Sequence, residues 1–183
     1  MTAPIQLRSP DRAMLPAYVA ALEAGWSPST TRDITGEQLE AIAADAAAFL
    51  LDQQERAGGT INLGDGRTVP RIPGPMFWIW DGAFCGQINL RYQEGSLELP
   101  PHVSGHVGYA VVPWKRRRGI ATAALRALLP IAAARGLPKV LITCDEDNEP
   151  SRKVIERAGG VYARSEFAEE HGTNKLLFWV ATA

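Results

Sequence analysis

HVGYAVVPWKRRRGIAT, residues 106–122, is the stretch on which the fold turns. Its first seven residues have the β-branched and aromatic content of a buried strand, and Pro113 stops that strand by removing a ladder donor. Lys115, Arg116, Arg117 and Arg118 then lead into Gly119. From Ile120 the apolar period changes, with Ile120, Ala124, Ala127, Leu128 and Ile131 marking one face of an amphipathic helix. A helix start carries unpaired N–H groups and the positive end of the dipole. A glycine-bearing loop placed there and flanked by cations is suited to hold phosphate.

Downstream, residues 139–144 read as a short strand of the fully buried type, so strand, helix and strand form a unit suited to a parallel pair with a crossover. Asn148 then suits an N-cap, Pro150 fits a first helical turn, and Val154, Ile155 and Ala158 give a buried stripe that closes at Gly159 and Gly160. Two last strands, at about 161–167 and 175–180, complete the sheet.

Upstream, Asp81-Gly82 joins strands at 76–80 and 83–92 into a hairpin, with Phe77, Trp78 and Trp80 expected to pack in the core. The loop 93–105, with Pro100, Pro101 and His102, is long enough to reach over a pocket, and its Glu94 and Glu98 could meet a cationic substrate. A first strand at 5–8 precedes a helix toward Ala24 in which Pro16 marks either the start or a kink. A second helix is expected to run unbroken from Thr35, in capping-box spacing with Gln38, to Gly58 and Gly59. Residues 59–74, around Asp65-Gly66, read as a small hairpin or irregular insertion.

At 183 residues the chain has room for one domain with a substantial core. A net charge of −1 and a pI near 6.3 argue against sequence-independent nucleic-acid binding. No secretory leader and no apolar run of membrane-spanning length is seen, so a cytoplasmic protein without a membrane partner is expected. Cys85 and Cys144 do not make a disulfide framework and read as core residues.

Arg116-Arg117-Arg118-Gly119-Ile120-Ala121 fits the pattern Arg/Gln-x-x-Gly-x-Gly/Ala, and about thirty residues on, Asn148-x-x-Ser151 opens another helix after a strand. In that order these motifs resemble the core of the GNAT N-acetyltransferase superfamily, over roughly residues 75–182. Within it the chain is similar to a bacterial subgroup of predicted acetyltransferases with an extended N-terminal half and an Arg152-Lys153-Val154-Ile155-Glu156-type helix. The resemblance implies an α/β (α+β) fold with a mixed, mostly antiparallel sheet of six to seven strands, a splayed parallel central pair and about four flanking helices. It implies a single domain over 1–183, its core at 74–182 and its first strand, helices and insertion within 1–73.

The resemblance also implies acetyl-CoA as co-substrate, no metal, and an amine of a small molecule or peptide as acceptor, acetylated directly in a ternary complex. An acyl-CoA-binding protein without turnover is the alternative. Backbone groups of Val111 and Val112 would face the pantetheine, and those of Arg117, Arg118, Gly119, Ile120, Ala121 and Thr122 the pyrophosphate. Asn148 and Ser151 would touch the pantetheine arm; simple capping explains the same residues. Many members carry a Tyr seven residues after the Asn, where this chain has Ile155, so Tyr109 or Tyr162 is left to protonate the leaving sulfur, or it departs unprotonated. His106 stands six residues before Val112, the offset at which histone-type members place a catalytic Glu, and is the candidate general base; a hydrogen-bonded structural His is the other reading. A homodimer is possible and no nucleic-acid partner is expected.

Overall fold

The computed structural model describes residues 4–30, 32–55, 58–62, 66–168 and 172–183. Strand β1 (Gln6–Arg8) leads into helix α1 (Leu15–Glu23). Asp11 accepts the Met14 N–H at 2.9 Å, and Pro16 lies in the first turn, where it costs no helical hydrogen bond. Pro16 therefore starts the helix and does not kink it.

The expected unbroken second helix is in fact two, α2 (Thr35–Ala44) and α3 (Ala46–Glu55). Asp45 between them is extended, and its Oδ1 accepts the N–H groups of Ala47 at 2.9 Å and Ala48 at 3.0 Å. A carboxylate serving as an N-cap starts a new helix while the apolar stripe continues across the break. The capping box also differs. Thr35 is already helical, Asp33 Oδ1 takes its N–H at 2.9 Å, and Gln38 instead accepts from the Tyr18 hydroxyl at 2.8 Å.

The insertion is a hairpin of β2 (Thr60–Asn62) and β3 (Thr68–Pro70); Asp65 of the expected turn lies outside the described residues. β4 (Met76–Trp80) and β5 (Phe84–Leu90) pair antiparallel through Asp81-Gly82, with Cys85 as an extra residue between the pairs Ile79↔Gly86 and Trp80↔Phe84. β6 (Val107–Val111), a 3-10 turn (Pro113–Lys115), α4 (Ile120–Ala134), β7 (Lys139–Asp145) and α5 (Glu149–Arg157) follow. β8 (Val161–Ala168) and β9 (Thr173–Ala181) end the chain, and α4 continues through Pro130.

Seven strands form two antiparallel half-sheets, β1-β4-β5-β6 and β7-β9-β8. Gly86 lets β5 approach β6: it has φ 137°, and a Cβ there would lie 2.0 Å from the Ala110 carbonyl oxygen. One core cluster joins both half-sheets to α4 and α5 through Ile88, Val107, Leu125, Leu128, Ile142, Ile155 and Phe178. The other lies under α1 and α3, where Tyr18 stacks on Trp78 with centroids 4.8 Å apart and Trp26, Phe49 and Phe84 close around them. The expectation that the aromatics are core holds for Trp78, which is fully buried, while Phe77 and Trp80 are partly buried at the margins.

Candidate active site

Among the described residues the half-sheets are hydrogen-bonded to each other at one point. The backbone N–H of His106 donates to the Leu141 carbonyl at 2.7 Å, and the Leu141 N–H donates to His106 Nδ1 at 2.9 Å. Beyond that seam β6 and β7 share no ladder. The imidazole is fully buried, and burial, with the Arg91 charge adding to it, lowers its pKa to about 4. Its basic nitrogen is thus occupied by a backbone donor, which leaves the proton on the enclosed Nε2.

Two hydrogen bonds fix which way β6 faces. Val112 N–H donates to the Cys85 carbonyl at 3.0 Å and Arg91 N–H to the His106 carbonyl at 2.7 Å, so even-numbered residues bond β5. By alternation the backbone groups of Val107, Tyr109 and Val111 face the gap toward β7. Of the two residues expected to present backbone groups there, Val111 stands on the open edge and Val112 is turned to β5. The Val111 carbonyl takes the Arg116 Nε at 3.1 Å, which holds the following turn against the strand end.

In that turn Arg117 has φ 62° and Gly119 φ 76°. Two left-handed residues this close aim consecutive amides at one concave point, a nest for an anion. The N–H groups of Arg117, Arg118, Gly119, Ile120, Ala121 and Thr122 make no protein hydrogen bond among the described residues, and Ala123 is the first to find one, to Gly119 at 3.0 Å. A Cβ at Gly119 would meet nothing within 4 Å, so the space over the nest is open. Arg117 and Arg118 are exposed beside it. Lys115 is used elsewhere: its ammonium bonds Asp81 at 2.6 Å and lies 3.3 Å from Cys85 Sγ. Burial alone would raise the Asp81 carboxyl, yet hydrogen bonds from Lys115, Cys85 and the Ala83 N–H, with the Lys115 charge, together outweigh it and hold the carboxyl below its ordinary value.

Across the gap, Asn148 Oδ1 accepts the Ser151 N–H at 3.1 Å and so caps α5. Ser151 Oγ lies 2.7 Å from the Tyr109 hydroxyl. Burial pushes the Tyr109 pKa up to about 12, despite the Ser151 bond, so the phenol is held as a donor. Ile155 is fully buried in the core. Tyr162 is half-exposed on β8, its ring against Phe178. Burial raises the Cys144 thiol to about 11, which makes it an unreactive core residue.

On the opposite face of β7, a groove of about 640 Å³ runs between the loop 93–105 and the second half-sheet. Leu141, Thr143, Lys175 and Trp179 form its floor, Glu98 and Pro101 one side, Arg164 and Glu166 the other. His102 anchors the loop, with Nε2 3.1 Å from the Pro70 carbonyl. The four floor and wall residues of β8 and β9 were not singled out from the sequence; for Lys175 and Trp179 the neighbouring buried Leu176, Phe178 and Val180 were the available signal, while β8, exposed at seven of its eight residues, offers none. Among the described residues no group of three His, Cys, Asp or Glu is placed to hold a metal, and no helix is long and apolar enough to cross a membrane.

This combination of splayed half-sheets and an amide nest opening a helix suits a phosphate-bearing ligand laid along the gap. The acetyltransferase (GNAT) domain family matches residues 7–161, and the chain belongs to that family, a family of enzymes. Solved structures share its fold. RimJ of Mycobacterium smegmatis in complex with a CoA disulfide is 21% identical with a TM-score of 0.65, covering 97% of this chain and 81% of that one. RimL, a ribosomal L7/L12 alpha-N-protein acetyltransferase in complex with coenzyme A, is 18% identical at 0.62, covering 97% and 94%. The microcin C7 self-immunity acetyltransferase MccE, with acetyl-CoA and AMP, is 14% identical at 0.62, covering 97% and 92%. No curated protein matches the sequence.

Proposed function

We propose that the chain transfers an acetyl group from acetyl-CoA to an amine, in a ternary complex in which both substrates occupy the gap between β6 and β7. The observation that carries this reading is the set of unpaired amides over 117–122, opening α4 at the wide end of that gap. These donors, with the Arg117 and Arg118 charges, would hold the pyrophosphate. The open-edge N–H of Val111 would bond the pantetheine as an added strand does, its carbonyl being held by Arg116. Acetyl-CoA supplies the activated acyl group. Tyr109 then places a hydroxyl where negative charge develops on sulfur. A phenol of pKa about 12 facing a thiol of pKa around 8.5 gives a hydrogen bond, since full proton transfer would be uphill by about 5 kcal/mol.

The geometry of His106 argues for a structural part at the seam, which leaves deprotonation of the acceptor to water. That arrangement suits an α-amine. Freeing a lysine-type amine at pH 7 costs about 4–5 kcal/mol, an α-amine only about 1 kcal/mol. The named activity of RimL on a protein α-amine agrees with this choice. Release of CoA thiol should be measured against peptides with free α-amines, lysine side-chain analogues, polyamines and aminoglycosides. Turnover of the peptides at neutral pH is expected. Tight acetyl-CoA binding with no turnover of any amine would replace this reading with that of a binding protein.

A further inference from the structure

We infer, resting on the acetyl-transfer reading proposed above, that the Asn89 carboxamide receives the acceptor over Gly108 and sets the choice of an α-amine over a lysine side chain. The two faces of β6 are unlike. Tyr109 packs toward α4 and α5 and reaches Ser151, whereas Ala110 and Val112 are buried in the cluster under α1 and α3. With the nest opening α4 and the Tyr109 hydroxyl beside α5, acetyl-CoA would take the first face, so the acceptor must come to the thioester from the second. His106, Gly108, Ala110 and Val112 alternate onto that second face. The other three are buried, while Gly108 is partly exposed and has no side chain, so a ligand can come closest to the strand there. The His106 ring lies 6.2 Å from Trp179 of the groove floor, which carries this face of β6 on into the groove.

Asn89 stands opposite Gly108 in the β5–β6 ladder. Its side chain leans over the glycine: a Cβ at Gly108 would lie 2.8 Å from Asn89 Oδ1 and 3.5 Å from Arg91 Nη2. Asn89 is 9% exposed, and its carboxamide makes no hydrogen bond among the described residues. Burying a polar group without a partner is costly, and a ligand laid over Gly108 would supply the missing partner.

A carboxamide offers an acceptor and a donor side by side. At a peptide N-terminus the amine and the carbonyl oxygen of the same residue are also neighbours, so Oδ1 can accept an amine N–H while Nδ2 donates to that carbonyl. A lysine side-chain amine has no carbonyl beside it and would make half of this contact. Neutrality matters as well. A carboxylate at this place would favour the ammonium form, which has no lone pair, whereas an amide orients the amine without holding a proton on it. In the transfer the amine nitrogen bonds the acyl carbon, the carbon–sulfur electron pair leaves with the CoA sulfur, and the proton shed by the nitrogen passes to water.

The test compares initial rates on a peptide with a free α-amine and on an N-terminally blocked peptide carrying one lysine, beside calorimetry of acetyl-CoA. The wild type is expected to favour the α-amine. Asn89→Ala, and Asn89→Leu, which keeps the shape without the polar atoms, should each lower kcat/KM for the α-amine peptide about 10–100-fold and the lysine peptide much less. Both should melt as the wild type does and keep its acetyl-CoA affinity, since neither orphans a protein partner. An α-amine preference that survives both variants, a wild type that favours the lysine, or a loss of acetyl-CoA affinity in step with activity overturns this inference alone. A wild type that binds acetyl-CoA and acetylates neither peptide overturns the acetyl-transfer reading, and this inference with it.

Discussion

The Tyr109 hydroxyl and Ser151 Oγ lie 2.7 Å apart, joining the open edge of β6 to the first turn of α5 across the gap. Ile155, on the buried face of α5, offers no hydroxyl there.

Tyr109→Phe is accordingly expected to lower kcat about 10–100-fold while acetyl-CoA affinity stays within a factor of a few. Steady-state kinetics beside calorimetric binding would check it. Unaltered kcat would reduce Tyr109 to a strut between strand and helix.

Gly119→Glu should abolish acetyl-CoA binding. The φ of 76° costs an L residue about 1–2 kcal/mol, and the carboxylate would stand over amides that await an anion. Gly119→Ala carries the strain alone and should fold and bind more weakly. Calorimetry on both variants separates strain from charge, and intact binding by the Glu variant would exclude the nest as the phosphate site.

His106→Ala should cost about 2–4 kcal/mol, because it orphans the Leu141 N–H and leaves a void. In the wild type the imidazole pKa falls from 6.5 to about 4 on folding, so the unfolded chain takes up its proton first as the pH drops. The stability it contributes is whole above pH 6.5 and is lost toward about pH 4, up to about 3 kcal/mol. Urea titrations at several pH values should show this slope in the wild type and a flatter one in the variant. A rate profile whose acidic limb near pH 6.5 disappears with His106→Ala would instead restore it as the base.

Asn148→Ala removes the α5 cap and should lower stability by about 1 kcal/mol. Its Oδ1 is committed to the Ser151 N–H, so acetyl-CoA affinity should fall less than in Ser151→Ala, whose hydroxyl holds Tyr109. Equal affinity losses would place both side chains on the ligand.

What the sequence disclosed was local chemistry. The change of apolar period at Ile120 and the stops at Pro113 and Gly119 depend on neighbours in the chain, and strand, turn and helix stand as read. Asp45 was missed because apolar residues continue on both sides of it, and only the two amides it accepts reveal a cap. The part played by His106 was closed to reading for another reason: its partner is a backbone amide 35 positions away, and backbone amides carry no sequence signature. Arg164 and Trp179 could be assigned to alternating faces, but which face a loop would cover depends on the fold.

The His106–Leu141 seam also makes the sheet mechanically divisible. Two antiparallel half-sheets, each internally laddered, are laced at a single stitch and spanned by α4. Opening that stitch need not unravel either half, so it is a sub-global event with its own free energy. Native-state amide exchange should therefore resolve two cooperative blocks, with the Leu141 amide reporting the joint and losing protection as acid charges the imidazole.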